Sequence, residues 1–203
     1  MRQHPLVLAA ALTVVASCSD QPRPTAPLSV AIYKQGAQSA NANGGNFGTP
    51  MRPGEEVMPA GVVNTSEAVG NAVFHLSDDG LTLSYKLIVA NIDNVFMAHI
   101  HRAPAGTNGG IVVWLFPSTT PGVTAPLGGG RIQGVIAEGT ITAANLTGSL
   151  AGHPLSDLLA LLETGGAYVN AHTNDGVGAV NTGPGDFPGG EIRGQVEARG
   201  NNK

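Results

Sequence analysis

Between Ala68 and His101 apolar and polar residues alternate at every second position in three successive segments, with turn-forming residues between them. A period of two marks a β-strand, whose successive side chains point to opposite faces. Ala72, Phe74 and Leu76 alternate with Asn71, Val73 and His75, and Ser77-Asp78-Asp79-Gly80 follows. Leu81, Leu83, Tyr85, Leu87 and Val89 then share a face. Asp-Gly is a strong two-residue hairpin signal because both positions tolerate positive φ, so these two segments are expected to pair as a hairpin. Asn91 to Asn94 turns the chain into a third strand. There Phe96, Ala98 and Ile100 are expected on an apolar face, with Val95, Met97, His99 and His101 on the other. The 29 glycines and 14 prolines agree with an all-β chain of many short strands joined by turns.

The remainder extends the pattern. Gly110 to Phe116 is a continuous apolar run, consistent with a strand buried on both faces. Pro117 to Gly130 reads as a loop, and Arg131 to Thr142 as one or two strands around Gly134 and Gly139. Leu155 to Glu163 is the one persuasive helix, short enough simply to cap the core, with Gly165 as its stop. Two strands close the domain. In Ala167–His172, residues Ala167, Val169 and Ala171 oppose Tyr168, Asn170 and His172. In Glu191–Ala198, residues Ile192, Gly194 and Val196 oppose Glu191, Arg193, Gln195 and Glu197. Thr173 to Gly190 between them is unusually long for a hairpin, and such loops are functional flaps or insertions.

The first residues read as an export signal. Met1 to His4 carries positive charge, and Leu6 to Val15 is a run of ten residues, apolar except for Thr13. A bilayer-spanning helix needs about 20, so residues 1–17 have the form of a signal peptide. Cys18 after Val15-Ala16-Ser17 resembles a bacterial lipoprotein box, which implies cleavage before Cys18 and lipidation of that residue. The alternative is an ordinary signal peptide with a chance cysteine. Ser19, rather than aspartate, leans toward outer-membrane sorting in a cell with two membranes. Residues 18–46 are expected to be a tether holding the domain near the membrane, with Pro22, Pro24 and Pro27 extending it. Val30 to Thr49 is too polar and glycine-rich to pack well, although Val30 to Tyr33 is a candidate edge strand. The domain proper is expected over 47–199, followed by a tail at 200–203.

Cys18 is the only cysteine, which excludes an intrachain disulfide framework and a thiolate metal site. The fold must stand on its core, and about 155 residues suit one domain. A net charge of −4 implies no polyanion-binding surface, so nucleic acid is not an expected partner.

Three strands share one property: His99 and His101, then Tyr168, Asn170 and His172, then Glu191, Arg193 and Gln195 each form a polar, chemically capable face. If the strands are neighbours, these faces merge into one patch with three imidazoles. Neutral imidazole is the commonest metal ligand, and three hold zinc or copper with an open position. Met97 on the same face could add a soft thioether favouring copper(I). Glu191 or Asn170 could orient an imidazole through its second nitrogen. The alternative is a polar face with no cofactor, with Glu191 and Arg193 as a same-face ion pair. His75 and His153 stand alone and are expected at the surface. Asp175 and Asp186 lack the alternate-residue spacing of a calcium loop. There is no Gly-x-Ser-x-Gly elbow and no phosphate-binding glycine loop.

Glu56-Val57, Ala98-His99-Ile100-His101, Gly109-Gly110-Ile111-Val112, Tyr168-Val169-Asn170-Ala171-His172-Thr173 and Gly189-Gly190-Glu191-Ile192-Arg193-Gly194-Gln195-Val196 together resemble the CHRD domain, first recognised in chordin. The likeness runs from about Phe47 to Arg199 and departs from the family's pattern in the long 174–188 segment. It implies a Greek-key-like β-sandwich of immunoglobulin-like or superoxide-dismutase-like kind, without implying an established reaction. The His-x-His strand also looks like the copper-binding strand of copper/zinc superoxide dismutases, but the disulfide cysteines and a complete zinc site are missing. Three functions follow as expectations: a lipid-anchored envelope module that binds zinc or copper, a cofactor-free structural or adhesive module with a protein or glycan partner, and a dismutase-like redox enzyme.

Overall fold

A computed structural model describes residues 45–200. The signal peptide, Cys18, the tether up to residue 44 with its candidate strand at Val30 to Tyr33, and residues 201–203 lie outside the described residues.

Among the described residues nine strands form two antiparallel sheets: β1 (Asn46–Met51), β2 (Val69–Leu76), β3 (Leu83–Asp93), β4 (Val95–Arg102), β5 (Gly110–Phe116), β6 (Arg131–Ile141), β7 (Ala167–Thr173), β8 (Ile192–Gln195) and β9 (Glu197–Ala198). One sheet has the order β6-β3-β2-β1-β9 and the other β5-β4-β7-β8. The chain leaves the first sheet at β3, builds β4 and β5 in the second, and returns to lay β6 beside β3. This is the Greek-key-like β-sandwich expected. Phe74, Leu83, Leu87 and Ile92 from one sheet and Ala98, Ile100, Val169 and Ala171 from the other fill a single core. The Tyr85 hydroxyl crosses it to donate to the Leu115 carbonyl at 2.7 Å.

Among the described residues the one α-helix, α1 (Leu155–Glu163), buries Leu158 and Leu162 against the end of the sandwich. Gly165 then takes the positive φ that ends it. None of the described helices is long and apolar enough to cross a membrane.

Four local readings change. Asn46 to Thr49, expected in the unpacked stretch, begins β1 and pairs with β2 and β9. The Asp-Gly turn closes a longer loop, residues 77–82. Ser77 and Asp79 side chains bind the backbone at Thr82 and Leu81 there, leaving Leu81 67% exposed rather than on the strand's apolar face. The last strand breaks at Val196, whose N–H goes to Ala167 before the chain crosses to β1. In β4 the register with β7 slips between Val95 and Met97. A bulge adds one residue to one strand and reverses the alternation beyond it. Val95 therefore joins the core and Phe96 turns to the histidine side, opposite to the simple alternation.

Candidate metal centre

β4, β7 and β8 are neighbours, so their polar faces do merge. Register sets His99 opposite Asn170, His101 opposite Tyr168 and Met97 opposite His172. On β8, Arg193 stands opposite Asn170 and Gln195 opposite Tyr168. This face points away from the other sheet, yet it is buried: His99 is 0%, His101 7% and His172 5% exposed. Segments 53–68, 103–109 and 174–190 contribute the groups that cover it.

One nitrogen from each of His99, His101 and His172 lies within 4.8 Å of the others. His99 Nδ1 is 3.2 Å from His172 Nε2. Ligands at zinc–nitrogen bond lengths in a tetrahedron sit about 3.3 Å apart, so this pair already has ligand spacing. Two of the rings also meet the tautomer requirement. His101 Nδ1–H donates to the Gly109 carbonyl and His172 Nδ1–H to the Pro188 carbonyl, each at 2.9 Å. Both Nε2 atoms are thereby left as lone pairs, the arrangement found in metal-bound histidines.

Burial keeps the imidazoles neutral. It is the main cause that pushes His99 down to about 2, with the neighbouring His172 and His101 adding to it. His172 is pushed down to about 4, the Pro188 carbonyl opposing burial. His101 is lowered by burial, an effect the Gly109 carbonyl and the Asn170 side chain oppose and the Arg193 charge reinforces. Nε2 of His101 and Oδ1 of Asn170 are acceptors buried without a hydrogen-bond partner, and Nε2 of His99, which carries the proton when Nδ1 is the ligand, is buried without one as well, as are Asp186 Oδ1 and Gln195 Oε1 farther off. Native proteins leave few such atoms. Among the described residues, the His101 Nε2 and Asn170 Oδ1 acceptors beside the histidine cluster suit a cation or a donor.

Glu191 and Arg193 act on the imidazoles differently from the expectation. The Glu191 carboxylate faces no imidazole and forms no ion pair with Arg193. It accepts from Ser66 Oγ and Thr173 Oγ1 at 2.5 Å and from Gly185 N at 2.9 Å. Thr173 Oγ1 in turn accepts from Phe187 N. Glu191 thus fastens the 174–190 loop, which carries the Pro188 carbonyl to His172. Arg193 is 1% exposed, lies 3.4 Å over the Tyr168 ring and donates to Asn108, Pro104 and Thr107. It fastens the 103–109 loop, which carries the Gly109 carbonyl to His101. Gly109 has to be glycine there, because a Cβ would collide with the Arg102 carbonyl. Gln195 touches no imidazole and ties Ala103, Gly165 and Ala167 carbonyls together.

The 174–188 segment is one wall of the site, stiffened by Asp186, which accepts from both the backbone and hydroxyl of Thr182. Met97 is half-buried on the histidine face. His75 and His153 are at the surface, paired with Asn46 and Asp157.

Three contributors, Trp114, Phe96 and Glu56, escaped the sequence reading, and Tyr168 takes a more specific part than expected. Trp114 sits edge-on to His99, with ring centres 4.2 Å apart, and Phe96 edge-on to His172 at 6.4 Å. Tyr168, expected only as a polar neighbour, stacks flat on His101 at 4.8 Å. Glu56 accepts from Asn170 Nδ2 at 3.4 Å. Burial raises its carboxyl, against the Val57 N–H, the Arg193 charge and Asn170, which lower it. The isolated tryptophan in an apolar strand was the one available signal for Trp114.

With this geometry in place, the class is an all-β sandwich carrying a buried three-histidine cluster on one sheet. The CHRD domain family matches residues 47–196, and the chain belongs to that family. Searches of curated proteins and of solved structures return no significant match.

Proposed function

We propose that this protein is a cell-envelope binding module, lipid-anchored through Cys18, that holds one copper or zinc ion on His99, His101 and His172. The observation that carries the reading is the convergence of three neutral imidazoles, two with their Nδ1–H groups directed outward to backbone carbonyls. An all-imidazole set suits copper and zinc, and copper(II) binds such donors more tightly in the general order of divalent ions. Met97, opposite His172, would add a thioether if copper(I) is bound. Anchoring rests on the Val15-Ala16-Ser17-Cys18 sequence, and outer-membrane sorting, where two membranes exist, rests on Ser19 in place of aspartate after it.

A second reading is supported by the His99–His172 contact and the Arg193–Tyr168–His101 stack. Here the face is a cofactor-free network that fixes strand register for a protein or glycan partner. Copper and zinc titration of the purified protein, beside a His99→Ala/His101→Ala variant, separates the two. Stoichiometric uptake lost in the variant supports the metal centre. No uptake by the native chain turns the histidines into architecture. A superoxide assay on copper-loaded protein tests the dismutase alternative, and little or no activity is expected.

A further inference from the structure

Asn170 carries an acceptor that the three histidines do not explain. Its carboxamide orientation is set by Glu56. A carboxylate oxygen accepts only, so the Asn170 group 3.4 Å from Glu56 Oε2 is its NH2, and the opposite rotamer would set two acceptors face to face. Gly190 makes the arrangement feasible, since a Cβ at that position would collide with both the Glu56 carboxylate and the Asn170 carboxamide. With Nδ2 held this way, Oδ1 turns to the other side of the group. His101 lies beside it there, and the Asn170 side chain favours the protonated form of that ring, to which it could serve as acceptor.

Oδ1 has no donor, and Asn170 is 1% exposed. His101 Nε2, also orphaned, is a lone pair because its Nδ1–H is committed to Gly109. With His101 neutral and its proton on Nδ1, neither atom can satisfy the other. A metal ion on the imidazoles would satisfy the ring nitrogen and leave Oδ1 unpaired unless the ion's next ligand brings a hydrogen.

We propose that Asn170 Oδ1 is the acceptor for a protic fourth ligand on the metal, water in the resting state, and that Glu56 is the positioning residue that aims it. This rests on the metal reading above. The site would then discriminate in favour of small ligands that carry an O–H or N–H and against anions that only accept.

The test uses cobalt(II), whose visible spectrum reports ligand exchange, with azide as the acceptor-only competitor. Native protein loaded with cobalt should bind azide weakly. In Asn170→Leu, azide affinity should rise about tenfold, the value of one hydrogen bond, while cobalt affinity stays within about threefold. Glu56→Gln, a change at a partly exposed position, frees the Asn170 carboxamide to turn and should also tighten azide, by several-fold. It decides the matter alone if the leucine variant does not fold. Azide affinity unchanged in the folded variants overturns the proposal. So does a fall in cobalt affinity of more than about tenfold in Asn170→Leu, which would make Oδ1 a ligand itself. If native protein takes up no cobalt, the metal reading and this one fall together; unchanged azide binding on a cobalt-loaded site removes this one only.

Discussion

Acidification should unfold the metal-stripped protein in a way that its buried histidines dictate. His99 and His172 sit at about 2 and about 4 in the folded chain, against about 6.5 when unfolded. The unfolded chain therefore binds more protons below pH 6.5, and stability falls as pH falls. The contribution is intact above the unfolded value. For His172 it goes on being lost down to about pH 4, and for His99 to about pH 2. At pH 5 the solution is about 1.5 units below the unfolded value and above both folded values. At 1.36 kcal/mol per unit, each histidine costs about 2 kcal/mol, or about 4 kcal/mol together. That is a large part of the roughly 5–15 kcal/mol that holds a domain folded.

Glu56 works in the opposite sense. Its raised carboxyl takes up a proton more readily in the folded chain, so acid relieves a penalty there. Urea unfolding of EDTA-treated protein at pH 7.5 and 5.0, beside a His99→Gln/His172→Gln variant, isolates the histidine contribution. The native chain should lose about 4 kcal/mol more than the variant over that interval. Stability that is flat or rising toward pH 5, or an equal loss in the variant, would refute the reasoning.

Three further outcomes follow from the surroundings of the site. Trp114 is the only tryptophan in the chain and lies against His99, so copper(II) should quench the intrinsic fluorescence to an endpoint at one equivalent while zinc leaves most of it. Glu191→Gln replaces an acceptor facing three donors with an amide, and urea unfolding should show a loss of about 3 kcal/mol. Arg193→Met removes the buried guanidinium from the 103–109 loop. It should cost about 3 kcal/mol through the acceptors left unpaired, with faster hydrogen exchange in that loop.

The fold was legible where alternation was uninterrupted. Ala72, Phe74 and Leu76 in β2, and Ala167, Val169 and Ala171 in β7, face the core as a period of two requires. His99 and His101 were legible as one face for the same reason. Phe96 was not, because a bulge is chosen by pairing with β7 and leaves no mark in the bulged strand's own residues. The adjacency of β4, β7 and β8 was a condition the sequence could state but not meet by itself, since strand order depends on long-range pairing. The carbonyls of Gly109 and Pro188 were invisible altogether. Backbone groups have no residue signature, and their placement depends on Arg193 and Glu191 fastening loops from a distance. Charge is what marks those two residues in the sequence, and their part in the site runs through the chain they hold.

Anomalous diffraction from a zinc-soaked crystal, recorded at energies on either side of the zinc edge, tests the central claim most directly. The account predicts a single strong peak on the outer face of the four-stranded sheet, about 2 Å from one nitrogen each of His99, His101 and His172. A crystal that shows no peak there, or binds zinc only at surface groups such as His75 or His153, would contradict it.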